Sequence, residues 1–508
     1  MIDSKGIELV GSRTLPGTRR PLAGTAQALS TREDTRPRWA RRLVWAGRGC
    51  LIVFAAVALI SANREAGLLT LGALTQVSSA VRGGVPVGVV YLLLPVGAAL
   101  WLAGEMLLRP GAGQRARWRL GPLAVTLPLA SLIGLTLAHL SLGLGWADIV
   151  FVLAGLGLLV LAYLFVLRDG PSGAALAGFT AAIGAVQALV GLGQFVRQRD
   201  LGLSWLGELK LNPTVSGVSV LTDPARVLRA YGLMRHPNTL GAILPLSLLG
   251  ALSLWARAGR RARWLWLAAL VVSGAGLVVS FSRAGWLAAL VGVCVWWAAG
   301  GLGSQHAARS QPPGAALRWA PALLVLALVL VAAIGLQPQL IVGRLLGVLG
   351  GGPLIEQQAL SARLFSVGIA WDVVQRWPLW GVGTRQYVVA AAQLMHAKPA
   401  ESLLVDSTPL VLWAEQGILG PLAWLGLGAA VTWLGLRRRG NPDLALATAW
   451  VCAVQVVCLF QAFYWPSQEL WQGGIWLGLA LGLWARAWLS SAAPAAGAAP
   501  IVPIVLVD

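Results

Sequence analysis

The chain is poor in charge. Charged residues make up 11% of its 508 positions, where a soluble protein carries about 25%. Acidic residues are especially scarce, with 19 Asp and Glu against 39 Lys and Arg, for a net charge of +20. Cysteine and histidine occur four times each. The four cysteines, Cys50, Cys294, Cys452 and Cys458, all lie in apolar stretches. No structural disulfide and no cysteine-based metal site are therefore expected. These shortages exclude a soluble enzyme, a disordered protein and a disulfide-rich secreted module.

Apolar sequence fills the space instead, at 57% of the residues. Runs of about 20 apolar residues recur, each long enough to cross about 30 Å of hydrocarbon as a helix. Barrel strands, which alternate over about 10 residues, do not read this way. The expected fold class is an all-α polytopic membrane protein. Twelve spans are expected, at 43–62, 85–108, 121–142, 146–167, 173–195, 238–256, 263–280, 284–300, 318–336, 407–435, 443–464 and 470–489. Segment 66–82 suits an interfacial or re-entrant piece, and no internal repeat is evident. Residues 1–42 are polar, basic and rich in proline, which predicts a disordered tail, and 490–508 form a C-terminal tail. The first apolar run starts too late for a cleaved signal peptide.

The positive charge sorts by side. Short loops carry Arg109, Arg115, Arg117 and Arg119, then Arg257, Arg260, Arg261 and Arg263, then Arg437, Arg438 and Arg439. With twelve spans these fall on one side with the N-terminal tail, and the positive-inside rule makes that side cytoplasmic. The expected location is the cytoplasmic membrane with both termini inside. Two long loops, 196–237 (loop A) and 337–406 (loop B), fall outside, and long loops translocate whatever their charge. Their arginines are either solvated among lipid headgroups or aimed at an anionic ligand, whose oxygens a guanidinium binds bidentately. Nothing in this distribution asks for a nucleic-acid partner.

Four motifs stand out. Loop A ends in Arg229-Ala-Tyr-Gly and then Arg235-His236-Pro-Asn238. Asn238 reads as the N-cap of the sixth span, and arginines beside a helix N-terminus make an anion site. Ser280-Phe-Ser282-Arg283 joins the seventh and eighth spans. Arg283 there either snorkels to the interface or reaches a cavity shared with loop A. In loop B, apolar residues at 365, 369, 373 and 377 predict an amphipathic helix, ended by Pro378 and lying along the membrane as a lid. The tenth span opens with Asp406-Ser407-Thr408-Pro409 and runs through Glu415 to Gly417 and Gly420. Thr408 reads as its N-cap, and Asp406 either stabilises that helix end or acts as a base. Glu415, about two turns into the span, needs a partner or a proton.

Taken together, the chain resembles the O-antigen ligase family, which shares its fold with O-antigen polymerases. The residues that carry the resemblance are Trp205-Leu-Gly-Glu208-Leu, Arg229-Ala-Tyr-Gly with His236-Pro-Asn, Ser282-Arg283, Arg363 with Trp377-Pro-Leu-Trp-Gly-Val-Gly, and Asp406 to Gly420. One position departs: the family has histidine where this chain has Asp406, and His396 lies ten residues earlier. The resemblance implies metal- and cofactor-independent transfer of a glycan from a polyprenyl diphosphate donor to a glycan or lipid acceptor at the outer face. Arg229, Arg283 and Arg363 would then contact the leaving diphosphate and Asp406 would take the acceptor proton. Arg363, Arg235, His236 and Ser407 would bind substrate. The alternatives are a polymerase of the same fold, a transporter of lipid-linked glycans and a non-catalytic homologue that only binds them.

Overall fold

The computed structural model describes residues 38–60, 89–108, 120–140, 145–214, 218, 220–222, 226–301, 354–399, 403–465 and 471–492. The expected ninth span (318–336), the segment 66–82, most of the N-terminal tail, the start of loop B and the end of the C-terminal tail lie outside the described residues. Fourteen α-helices appear among the described residues. They are α1 (Arg38–Ile60), α2 (Val89–Leu108), α3 (Leu123–Ala138), α4 (Trp146–Asp169), α5 (Gly173–Arg197), α6 (Pro237–Arg257) and α7 (Arg260–Val279), followed by α8 (Arg283–Ala298), α9 (Leu354–Arg376), α10 (Tyr387–Leu394), α11 (Thr408–Gln416), α12 (Leu419–Arg437), α13 (Pro442–Phe460) and α14 (Trp471–Ala492). Seven of the helices are long and apolar enough to cross a membrane, and Leu123–Ala138 and Arg283–Ala298 are shorter apolar helices.

Two features differ from a purely helical expectation. Loop A contains a small antiparallel hairpin, β1 (Val220–Thr222) against β2 (Arg226–Leu228), in the register Val220 to Leu228 and Thr222 to Arg226. The expected tenth span is also two helices. It breaks at Gly417, whose φ of 66° belongs to the left-handed region, and a Cβ there would run into the Leu379 backbone. Only glycine meets both demands.

Helix α6 is the hub. It packs on α5, α7, α8 and α13, and every residue from Thr239 to Trp255 is buried. Lipid offers no hydrophobic drive between apolar helices, so small residues and close backbones hold them. Gly285 of α8 lies against the Gly241 carbonyl of α6, and Gly250 of α6 lies against the Ala177 carbonyl of α5. At the arginine-rich end, Arg257 Nη1 reaches Asp443 at 2.6 Å and ties α6 to α13. Helices α9, α10 and α11 form a separate small core around Ile369, Val373, Tyr387, Val405 and Val411.

Candidate functional site

At one pole of the site, loop A is clamped onto the turn between α7 and α8. Arg229 is 4% exposed. Its Nε donates to the Ser280 carbonyl at 2.9 Å and its Nη2 to Asn238 Oδ1 at 2.7 Å, and the Ala230 amide donates to the Val279 carbonyl at 3.0 Å. The turn itself is tight. Phe281 sits at φ 51°, a conformation that costs a non-glycine residue about 1–3 kcal/mol and persists only when packing enforces it. The enforcement comes from Phe195, Val227, Val278 and Trp286 around the buried ring. Ser282 then caps α8, its Oγ accepting from the Gly285 amide at 3.3 Å.

Arg283 is the first residue of α8 and half-buried. A cation at a helix N-terminus adds to the positive end of the dipole instead of offsetting it. Gly241 of α6 packs against Ser280 and Ser282, so the N-terminal turns of α6 and α8 lie side by side. Arg229, Arg283 and two helix N-termini therefore concentrate positive charge in one place, which is chemistry suited to an anion.

The second pole lies where α9 meets the start of α11. Arg363 Nε stands 3.9 Å from Asp406 Oδ2. Asp406 keeps half of its side-chain surface accessible, yet its apolar surroundings push its carboxyl above the ordinary carboxylate range, and Arg363 draws it back only in part. Ser407 precedes α11 as its N-cap residue and makes no side-chain cap bond. Nearby, burial and then the charge of Glu415 raise the Tyr387 phenol. Glu415 is 2% exposed, and its carbonyl accepts from the Gly383 amide at 2.9 Å, pinning the glycine turn of loop B to α11.

A residue that the sequence reading passed over joins the poles, through its side chain on one hand and its main chain on the other. Gln461, in extended conformation at the end of α13, donates from Nε2 to the Asn238 carbonyl at 3.2 Å. Its main-chain carbonyl accepts from Thr408 Oγ1 at 2.9 Å. The path Arg229–Asn238–Gln461–Thr408 thus runs from the arginine pole to the helix that follows Asp406. A signal was available: Gln461 is a lone amide in the apolar run Cys458–Trp465, and a polar group at membrane depth needs partners.

Three expectations need correction. The cap of α6 is His236, whose Nδ1 accepts from the Asn238 amide at 3.1 Å; Pro237 takes the first helical position and Asn238 turns its side chain to Arg229. The cap of α11 is Ser407, not Thr408, because Thr408 is already helical and spends its hydroxyl on Gln461. The buried stripe of α9 is Ser366, Ile369, Ala370, Val373 and Val374, while Phe365 and Trp377 are 57% and 40% exposed.

Arg235 and His236 are exposed at the turn before α6, and His236 lies edge-on to Tyr231 at 6.3 Å. His396 is exposed after α10, and among the described residues no hydrogen bond or ion pair joins it to Asp406. Glu208 is a structural residue. Its carboxylate accepts from the amides of Leu201 and Leu203 and from Gln194 Nε2, and so folds the first half of loop A.

Comparison with known proteins reaches part of the chain. Residues 268–425 match the family model described as O-antigen ligase. The matched segment starts in α7 and ends in α12, and it contains Arg283, Arg363, Asp406 and Ser407. Arg229, Arg235, His236 and Gln461 lie outside it. No curated protein matches the chain. Over that segment the chain is similar to the O-antigen ligase family, and its apolar helices point to a membrane protein.

Proposed function

We propose that the chain is an integral-membrane glycosyltransferase of the O-antigen ligase type. It moves a glycan from a polyprenyl diphosphate carrier to an acceptor hydroxyl at the outer face of the cytoplasmic membrane. The orientation is the one the arginine-rich loops favour, with twelve spans and both termini cytoplasmic. The observation that carries the reading is the join between an arginine pole and a carboxylate pole through Asn238, Gln461 and Thr408.

In this reading the acceptor oxygen forms a bond to the anomeric carbon of the donor glycan. The bond from that carbon to the diphosphate oxygen breaks, and its electron pair leaves with the polyprenyl diphosphate. Arg229, Arg283 and the two helix N-termini meet the charge that develops there, in a place too dry to screen it. The acceptor proton passes to Asp406, whose raised pKa makes it a better base than an ordinary aspartate. Arg363 sets how basic that carboxylate is, and Arg235, His236 and Ser407 line the approach for the glycan. A polymerase of the same fold would use the same groups with a second glycan chain as acceptor.

The test uses purified protein in vesicles with a lipid-linked glycan donor and an acceptor. Arg229→Ala and Arg283→Ala should each abolish transfer in protein that still folds, and lysine should restore it only partly because the bidentate fork is lost. Near-native transfer in both alanine variants overturns the diphosphate site. Movement of donor across the bilayer with no joining to any acceptor makes the chain a transporter instead.

A further inference from the structure

Far from the site, an apolar cavity of about 240 Å³ lies between the α1–α2 pair and the rest of the bundle. Ile52 of α1, Leu94 of α2, Leu161 and Phe165 of α4, Phe179 of α5 and Ile475 of α14 line it, and every other lining residue is apolar too. Its origin is visible in the packing. Helices α1 and α2 fit closely on each other, with Gly47 against the Trp101 amide and the Gly97 carbonyl. Among the described residues, its contacts with the bundle include Trp101, which meets Phe165 edge-on at 5.7 Å, and Ala58, whose carbonyl accepts from Gln472 Nε2. The cavity lies beside those contacts.

A space of this size left empty forfeits packing along its whole wall. Water does not fill it, because no polar group is there to hold water. The surrounding medium is hydrocarbon, and the cavity opens to it: Ile52 lines the cavity and is also 45% exposed. Along α4 the lining begins at Leu158 and continues to Pro171, just past the helix end. At about 1.5 Å per residue the helical part covers roughly 16 Å, about the depth of one leaflet. Arg486 marks the boundary there, its Nη1 donating to the carbonyls of Gly170 and Pro171, and Arg168 lies in the last turn of α4. This end is opposite loop A, since α5 must be traversed between Pro171 and Arg197.

We propose that the cavity holds one acyl chain of a membrane phospholipid, from the leaflet on the arginine-rich side, with its phosphate at the level of Arg486. The lipid acts as a wedge that fixes the α1–α2 pair to the bundle. A polyprenyl donor fits less well, because its diphosphate would be handled at the opposite face.

Photolabelling decides the matter. Full-length protein is placed in phosphatidylethanolamine and phosphatidylglycerol vesicles doped with a phospholipid that carries a diazirine in its acyl chain. Peptides containing 51–55 and 158–165 should be labelled about tenfold above the lipid-facing Leu422 and Leu425 of α12. Ala162→Trp, which fills the cavity, should remove that excess and leave labelling of α12 unchanged. Should this variant not fold, native mass spectrometry of the wild-type protein serves instead, with one retained phospholipid per chain as the expected result. Labelling no stronger than at α12, no retained phospholipid, preferential labelling by a diazirine polyprenyl phosphate, or cross-links from 51–55 to another segment of this chain would each overturn the proposal.

Discussion

Helices α6 and α9 are similar in length and opposite in character. From Thr239 to Trp255, α6 is buried on every side. By contrast, α9 buries a single stripe and leaves Leu364, Phe365, Val367 and Trp371 exposed. The first is held by backbones that nearly touch, the second by one row of side chains over a small core of its own. Substitutions in α6 and its neighbours should therefore show up as loss of the fold, and substitutions around α9 as altered chemistry in a folded protein. The arginine pole hangs on the first region and Asp406 on the second, so the proposed transfer would require the two regions to stay in register.

The sharpest way to break this contrast is Gly285→Leu. No space exists between α8 and the Gly241 carbonyl, so the variant should lose about 3 kcal/mol or more, or fail to assemble, as read by thermal unfolding in detergent. The counterpart at the other pole is Asp406→Ala, which should lower transfer by about 10²–10⁴-fold with unfolding unchanged. Unchanged transfer would remove Asp406 from the mechanism. Asp406→His, which installs the family's residue, should keep transfer and move its acid limb to near the ordinary histidine value of about 6.5.

Smaller effects probe the connection itself. Gln461→Ala strips the Asn238 carbonyl of its side-chain partner and leaves the main-chain carbonyl that Thr408 bonds, at a cost of about 1–3 kcal/mol. If Gln461 positions the poles, kcat should fall more than KM rises, and Gln461→Asn should not rescue it, being one methylene too short to reach the Asn238 carbonyl. A drop in thermal stability with kcat intact would leave Gln461 a purely structural residue. The smallest effect is expected for Arg363→Ala. With Asp406 as the proposed base, rate should rise with pH as its carboxylate forms, and removing a cation that lowers its pKa should shift that rise to higher pH. A shift to lower pH, or none, would detach Arg363 from Asp406.

Much of the fold was legible because lipid enforces a simple rule: backbone groups must be satisfied internally, so long apolar runs become helices. The runs that begin at Trp146, Gly173 and Arg260 illustrate it. Local geometry was harder to read. The proline of His236-Pro237-Asn238 takes the first helical position, whereas that of Ser407-Thr408-Pro409 takes the second, so proline alone does not locate a cap. The i+4 series 365, 369, 373, 377 failed for a different reason. Each step of four overshoots one turn by about 40°, so its ends lie about 120° apart and cannot share one face. The arginines and Asp406 could be picked out one by one, but their pairing could not. That pairing depends on Gln461, more than 50 positions from Asp406 in the chain.

The break at Gly417 has a consequence for swapping parts between such proteins. Leu379 and its neighbours lie directly on Gly417, and the Ile418 amide donates to the Pro378 carbonyl at 3.0 Å. The Val382 amide donates to the Ala414 carbonyl at 2.8 Å, which fastens the same turn one step further along. Loop B is thereby stitched into the span it precedes. Residues 377–420 make up one cassette, and a graft meant to change the acceptor would have to move all of it, because a seam cut at the apparent start of the tenth span would separate the two halves of a single joint.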